Sequence, residues 1–126
     1  MRTLWAALAA AALGLAPLAA FSAPAEGTVL VEASCFPNPF DSRRAPATLR
    51  WTLASEAPVE VAVHSVFGAR LWRRSFTAGA PGGRPGPNEV AWDGADDTGR
   101  KVSKGLYLLV LRAAGERRVV KVGVRH

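Results

Sequence analysis

The sequence predicts an all-β fold, an antiparallel sandwich of seven short strands, and three observations carry that prediction. After residue 26, apolar residues recur with a period of two and never with the sustained three-and-four spacing of an amphipathic helix. The alternating runs are short, and clusters of Gly, Pro, Asn, Asp and Ser separate them. Finally, 126 residues make one domain and no more.

The first run, Thr28 to Cys35, places Val29, Val31, Ala33 and Cys35 on one parity. Thr48 to Leu53 places Leu49, Trp51 and Leu53 on one face and Thr48, Arg50 and Thr52 on the other. Val59 to Val66 turns Val59, Val61 and Val63 inward and Glu60, Ala62 and His64 outward, with Pro58 opening the strand where a missing amide donor does least harm. Arg70 to Phe76 is irregular, and a bulge near Arg73–Arg74 is expected to bring Leu71, Trp72 and Phe76 onto one face. Asn88 to Trp92 is short. Leu106 to Arg112 is almost continuously apolar, as a strand covered on both faces would be. Arg118 to Val124 sets Val120, Val122 and Val124 against Lys121, Gly123 and Arg125. Between the runs, Phe67-Gly68-Ala69 and Ala113 to Glu116 read as hairpins. Ala78 to Pro87, with four Gly and three Pro, reads as a loop without regular structure. Seven such strands in about 100 residues suit an immunoglobulin/fibronectin III-like sandwich. Its expected core is Leu49, Trp51, Leu53, Val61, Val63, Trp92, Tyr107, Leu109, Leu111, Val120 and Val122.

Residues 1–25 read as an address. A basic start (Met1-Arg2) leads into an unbroken apolar run from Leu4 to Leu13, and Gly14 and Pro17 follow. Ala23-Pro24-Ala25 offers a signal-peptidase site, with Ala20-Phe21-Ser22 a second candidate. The run is shorter than the ~20 residues a membrane span needs, so a cleaved secretory signal is expected and no transmembrane span after cleavage. The working domain is then residues 26–126, periplasmic or extracellular. Cys35 has no second cysteine to pair with, which excludes a disulfide framework. A small buried side chain at a strand end is expected there, an intermolecular disulfide being the alternative. Glu32 stands where a lipoprotein site needs an apolar residue.

Residues 88–107 carry a specific pattern. Asp93-Gly94 and Asp96-Asp97-Thr98-Gly99 have the chemistry of two successive turns, Asp favouring Asx-type turns and Gly supplying positive φ. Val102 can plug the space beneath them, Gly105 lets the backbone enter the next strand, and Tyr107 begins its inward face. Trp92-Asp93-Gly94, Asp96, Gly99, Val102, Gly105 and Tyr107 resemble the W-D-G-x-D-x-x-G-x-x-V-x-x-G-x-Y pattern of the immunoglobulin-like domain of the flagellar hook-capping protein. Pro37, Asn38, Pro39 and Phe40 look like that family's P-N-P-F motif. Val61 to Arg70 is similar to its V-x-V-Y-x-x-x-G-R hairpin, with His64 in the aromatic position. Related modules include the C-terminal sorting domains of type IX secretion. The resemblance spans about residues 28–125 and implies an immunoglobulin-like sandwich module; it says little about activity, because such modules accompany unrelated functions. The hook-capping protein has a further N-terminal region that engages the hook. Here only a signal is expected before the sandwich, which ranks a flagellar or sorting role second.

No enzyme signature is present. There is no Gly-x-Ser-x-Gly elbow, no phosphate loop, and no second internal His beside His64. Asp93, Asp96 and Asp97 lack the spacing of a calcium loop and read as turn formers. No cofactor or metal is expected. The charge, +6 for the chain and about +5 without the signal, gathers on the last hairpin. Arg112, Arg117, Arg118, Lys121 and Arg125 form a candidate basic face for an anionic partner, against the plainer reading of a soluble, pairing-resistant edge. Export and the lack of an aromatic stacking row exclude nucleic acid. The expected partner is another envelope or extracellular protein, or an anionic envelope polymer.

Overall fold

The computed structural model describes residues 28–126, so the signal-peptide reading of residues 1–25 lies outside the described residues. The seven strands are β1 (Leu30–Phe36), β2 (Ala47–Leu53), β3 (Val59–Ser65), β4 (Arg70–Phe76), β5 (Gly86–Trp92), β6 (Gly105–Ala113) and β7 (Glu116–Val124). They form two antiparallel sheets, ordered β1-β2-β5 and β4-β3-β6-β7. The architecture is the predicted immunoglobulin/fibronectin III-like sandwich. Apart from the ladder irregularities of β1 and β4, the strands present one parity to the facing sheet, because successive side chains alternate across the pleat.

The core follows from that alternation. Ala47, Leu49, Trp51 and Leu53 of β2 lie buried opposite Val59, Val61 and Val63 of β3 and Tyr107, Leu109 and Leu111 of β6. Val120, expected in the core, is only partly buried and packs at its margin. The β6–β7 hairpin closes through Ala114 and Gly115, both at positive φ, 52° and 78°. That is the two-residue turn whose twist matches the strands it joins.

Three expectations need correction. In β1 the inward residue is Leu30, while Val31 is exposed. A register shift between Leu30 and Glu32 inserts one residue and reverses the parity, so Ala33 and Cys35 regain the core side. The irregularity of β4 sits at Leu71 and not at Arg73–Arg74. Val63 pairs with Trp72 but His64 pairs with Arg70, and Trp72 is thereby turned inward. Nor does a further sheet among the described residues pack over the second face of β6. Leu106 is 49% exposed there, and Leu108 and Val110 are half-buried.

The loop between β4 and β5 has no regular structure, as expected, although Gly86 and Pro87, assigned to it from the sequence, already pair with Leu53 and Thr52 in β5; the loop is nonetheless pinned. The Trp51 indole N–H donates to the Gly82 carbonyl at 3.0 Å, and the Asn88 side chain accepts from Gly82 N–H at 3.0 Å and donates to the Arg84 carbonyl at 2.8 Å. Gly83 has no room for a side chain, since a Cβ would stand 2.3 Å from the Thr77 carbonyl oxygen.

Candidate interaction faces

The motif residues converge on one structural task. Trp92 is fully buried and packs against Phe40, Trp72 and Tyr107, with ring centroids 5.6, 6.2 and 6.3 Å away. Its indole N–H donates to the Ala95 carbonyl at 2.8 Å. Asp93 accepts from Ala95 N–H at 3.0 Å, closing the first turn. Gly94 is required twice over: its φ is +84°, and a Cβ would meet the Ser42 Cβ at 2.6 Å. Asp96 closes the second turn, accepting from the Thr98 hydroxyl and the Thr98 and Arg100 amides at 2.6 to 3.1 Å. These donors, the Thr98 hydroxyl foremost, hold its carboxyl below the ordinary value of 3.8. Asp97 ties the corner to β4, pairing with Arg74 at 2.9 Å while its N–H donates to the Leu71 carbonyl. Gly99 follows at φ +91° and Gly105 at φ +151°. Val102 plugs the corner as expected, its N–H donating to the Gly94 carbonyl. The three aspartates therefore spend their oxygens on turns and an ion pair. Among the described residues no group of three His, Cys, Asp or Glu side chains converges to hold a metal ion.

The Pro37-Asn38-Pro39-Phe40 segment clasps β7. Both X-Pro bonds are cis. Asn38 donates to the Lys121 carbonyl at 2.7 Å and accepts from Gly123 N–H at 2.9 Å, so its amide behaves as one more rung of strand pairing. Phe40 N–H donates to the Gly123 carbonyl, and Arg125 N–H donates to the Phe40 carbonyl. Pro39 leaves no slack at Gly123, where a Cβ would approach it to 3.0 Å. The edge that the segment covers is one an added strand would otherwise use.

At the other end of the sandwich Glu116 holds the start of β1. Its two carboxylate oxygens accept from Val29 and Leu30 N–H at 2.8 and 2.9 Å. Those two amides, Val29 first, hold its carboxyl below the ordinary 4.5. No local pattern marked Glu116; the only sequence signal was a lone acid inside a basic hairpin. Cys35 is buried near the end of β1, and burial pushes its thiol up to about 11.

The proposed basic face divides. Arg112 and Arg117 stand directly opposite each other across β6 and β7, and Lys121 lies opposite Leu108 on the same outer side of the sheet. Arg118 shares the register of Leu111 and turns to the other side, where its guanidinium donates to the Val31 carbonyl at 3.1 Å. Arg125 lies past the end of β7, beside Phe40. His64 sits at the β3–β4 hairpin, its Nδ1 3.5 Å from the Gly68 carbonyl. What the sequence left unmarked is the apolar company of Lys121: Leu106, Leu108, Val110 and Val119 occupy the same outer face.

No family model matches the chain, and no curated protein matches it. Solved structures do. The chain is similar to PorZ, described as an essential bacterial surface component of the type-IX secretion system of Porphyromonas gingivalis, with a TM-score of 0.52 and 15% identity over 75% of this chain and 11% of that one. It is similar to dimeric latent PorU from Porphyromonas gingivalis, with a TM-score of 0.55 and 25% identity over 73% of this chain and 9% of that one. FlgD from P. aeruginosa matches with a TM-score of 0.53 and 19% identity, over 76% of this chain and 71% of that one. The chain thus spans about a tenth of PorZ and of PorU, and most of the FlgD chain compared. By fold the chain is an immunoglobulin-like sandwich, similar to a small part of PorZ and of PorU and to most of the FlgD chain.

Proposed function

We propose that the chain is an exported, non-enzymatic immunoglobulin-like module, periplasmic or at the cell surface, that binds another envelope or extracellular protein or an anionic envelope polymer. The observation that carries this reading is the shared fold with PorZ, PorU and FlgD, of which PorZ is described as a surface component of a secretion system. The disposition of its polar groups supports it: Asp93, Asp96, Asp97 and Glu116 are taken up by the fold, while Arg112, Arg117 and Lys121 face outward. A binding module needs such a surface and no reactive centre.

The test is fractionation of the producing cells followed by pulldown. The expected mature protein lacks its first 22 to 25 residues, sits in the periplasmic or surface fraction, and retains an envelope component that is lost when Arg112, Arg117, Lys121 and Arg125 are changed to Glu. A cytoplasmic full-length protein, or retention of nothing from envelope extract, overturns the reading. A second reading, an accessory of flagellar hook assembly or of secretion sorting, rests on the same three likenesses. Deleting the gene and measuring motility and secreted protein separates it from the first.

A further inference from the structure

We propose that the outer face of the four-stranded sheet docks a protein partner that lays an apolar ridge flanked by carboxylates along β6. The inference rests on the binding-module reading and assigns it a face and a partner chemistry. Along β6, Leu106, Leu108 and Val110 point away from the core, and Val119 of β7 stands opposite Val110. The stripe from Val110 to Leu106 covers about 14 Å, four steps of strand. It continues into the β3–β4 hairpin, where Val66 is 52% and Phe67 94% exposed. The solvated face of an antiparallel sheet ordinarily alternates to polar residues, and a contiguous exposed apolar patch marks an interaction site.

Charge selects the occupant. Arg112 and Arg117 flank one end of the stripe, Lys121 its middle opposite Leu108, and Lys104 and Arg70 the hairpin end. Among the described residues none of these five cations has a carboxylate within ion-pair distance. Glu60 is the sole carboxylate in register on this face, and Arg73 holds it at 3.3 Å. A second copy docked face to face would set these cations against one another, which is costly. A bilayer would meet Phe67 at one end, yet Arg112 and Arg117 stand at the opposite end of the sheet. Cations spread along the whole stripe complement a partner lying lengthwise upon it, with acids on both flanks and apolar groups between.

Photo-crosslinking in the producing cells tests this. A photoreactive amino acid is placed at Val119, at Phe67, or at Thr52 on the outer side of the three-stranded sheet, in the full-length protein. The expected result is one protein crosslinked from Val119 and Phe67 and not from Thr52. That protein, purified, should bind the wild type with an affinity that falls with rising salt. Val119→Glu, and separately Arg117→Glu with Lys121→Glu, should each raise Kd at least tenfold without changing the melting temperature by more than a few degrees; both variants alter exposed positions. Crosslinks from Thr52 alone or equally from Thr52 overturn the face while leaving the binding-module reading intact. Crosslinks only to a second copy or to lipid, or a Kd unmoved by either variant, overturn the proposed partner. No crosslink from any of the three positions counts against both readings.

Discussion

On one side of β6, Tyr107, Leu109, Leu111 and Ala113 are buried against the three-stranded sheet; on the other, Leu106, Leu108 and Val110 stand half-exposed with Val119 beside them. Apart from Arg112 on the outer side, the two faces of β6 are similarly apolar, and their surroundings are opposite. Leu109 is wholly buried, in the same cluster as Trp51 and Trp92, while Leu108, its neighbour in sequence, looks past Lys121. The difference teaches that apolar residues in a strand report burial on at least one face, and that the second face is a separate question. Here the inner face builds the fold, and the outer one is left available.

Substitutions on each side sharpen this contrast, beginning with the largest effect. Trp92→Ala removes the ring that Phe40, Trp72 and Tyr107 all touch. It should cost roughly 3–5 kcal/mol in chemical denaturation, and a loss under about 1 kcal/mol would remove Trp92 from the core. The paired changes at positions 108 and 109 come next. Leu109→Ala should cost roughly 2–5 kcal/mol, and Leu108→Ala at most about 1 kcal/mol. Equal losses from the two would erase the distinction between the faces.

The smallest effect is electrostatic and lies at the inner margin. Glu116 is held below its ordinary 4.5 by the Val29 and Leu30 amides. A depressed carboxyl contributes stability that is fully present above its unfolded pKa and is lost as pH falls through the folded one. The clasp on β1 should therefore loosen below about pH 4.5, with Asp96 and Asp41, both held below 3.8, following at lower pH. In Glu116→Gln the fall in melting temperature through that window should be shallower than in the wild type. An unchanged acid limb would mean that the clasp contributes nothing.

Much of this was legible locally. Strand number, the inward parity of β2 and β3, both hairpin turns and the corner after Trp92 all rest on interactions within a few residues. Asp93 and Asp96 bond to amides two to four positions on, and such chemistry is written directly in the chain. The misplaced features are those in which a partner strand decides. Val31 was expected inward, but pairing with β2 inserts a bulge after Leu30. Arg118 was grouped with Arg117, yet alternation in β7 sends the two to opposite sides, and Arg118 finds the Val31 carbonyl. Glu116 could not be linked to Val29 from spacing, since 87 residues separate them.

By itself the sequence determined the period of two, the breakers between runs, and the turn-forming residues, because sterics and short hydrogen bonds act within one segment of chain. From these came the sandwich and the place of Trp92 and Tyr107 in its core, whereas Phe40 joins them from a segment about fifty residues away. Only the tertiary structure decided where the ladders slip, which carboxylates the fold consumes, and which face of β6 stays open. Those depend on what a distant strand places opposite each residue. A run apolar on both parities reads the same whether one side of it is covered or two.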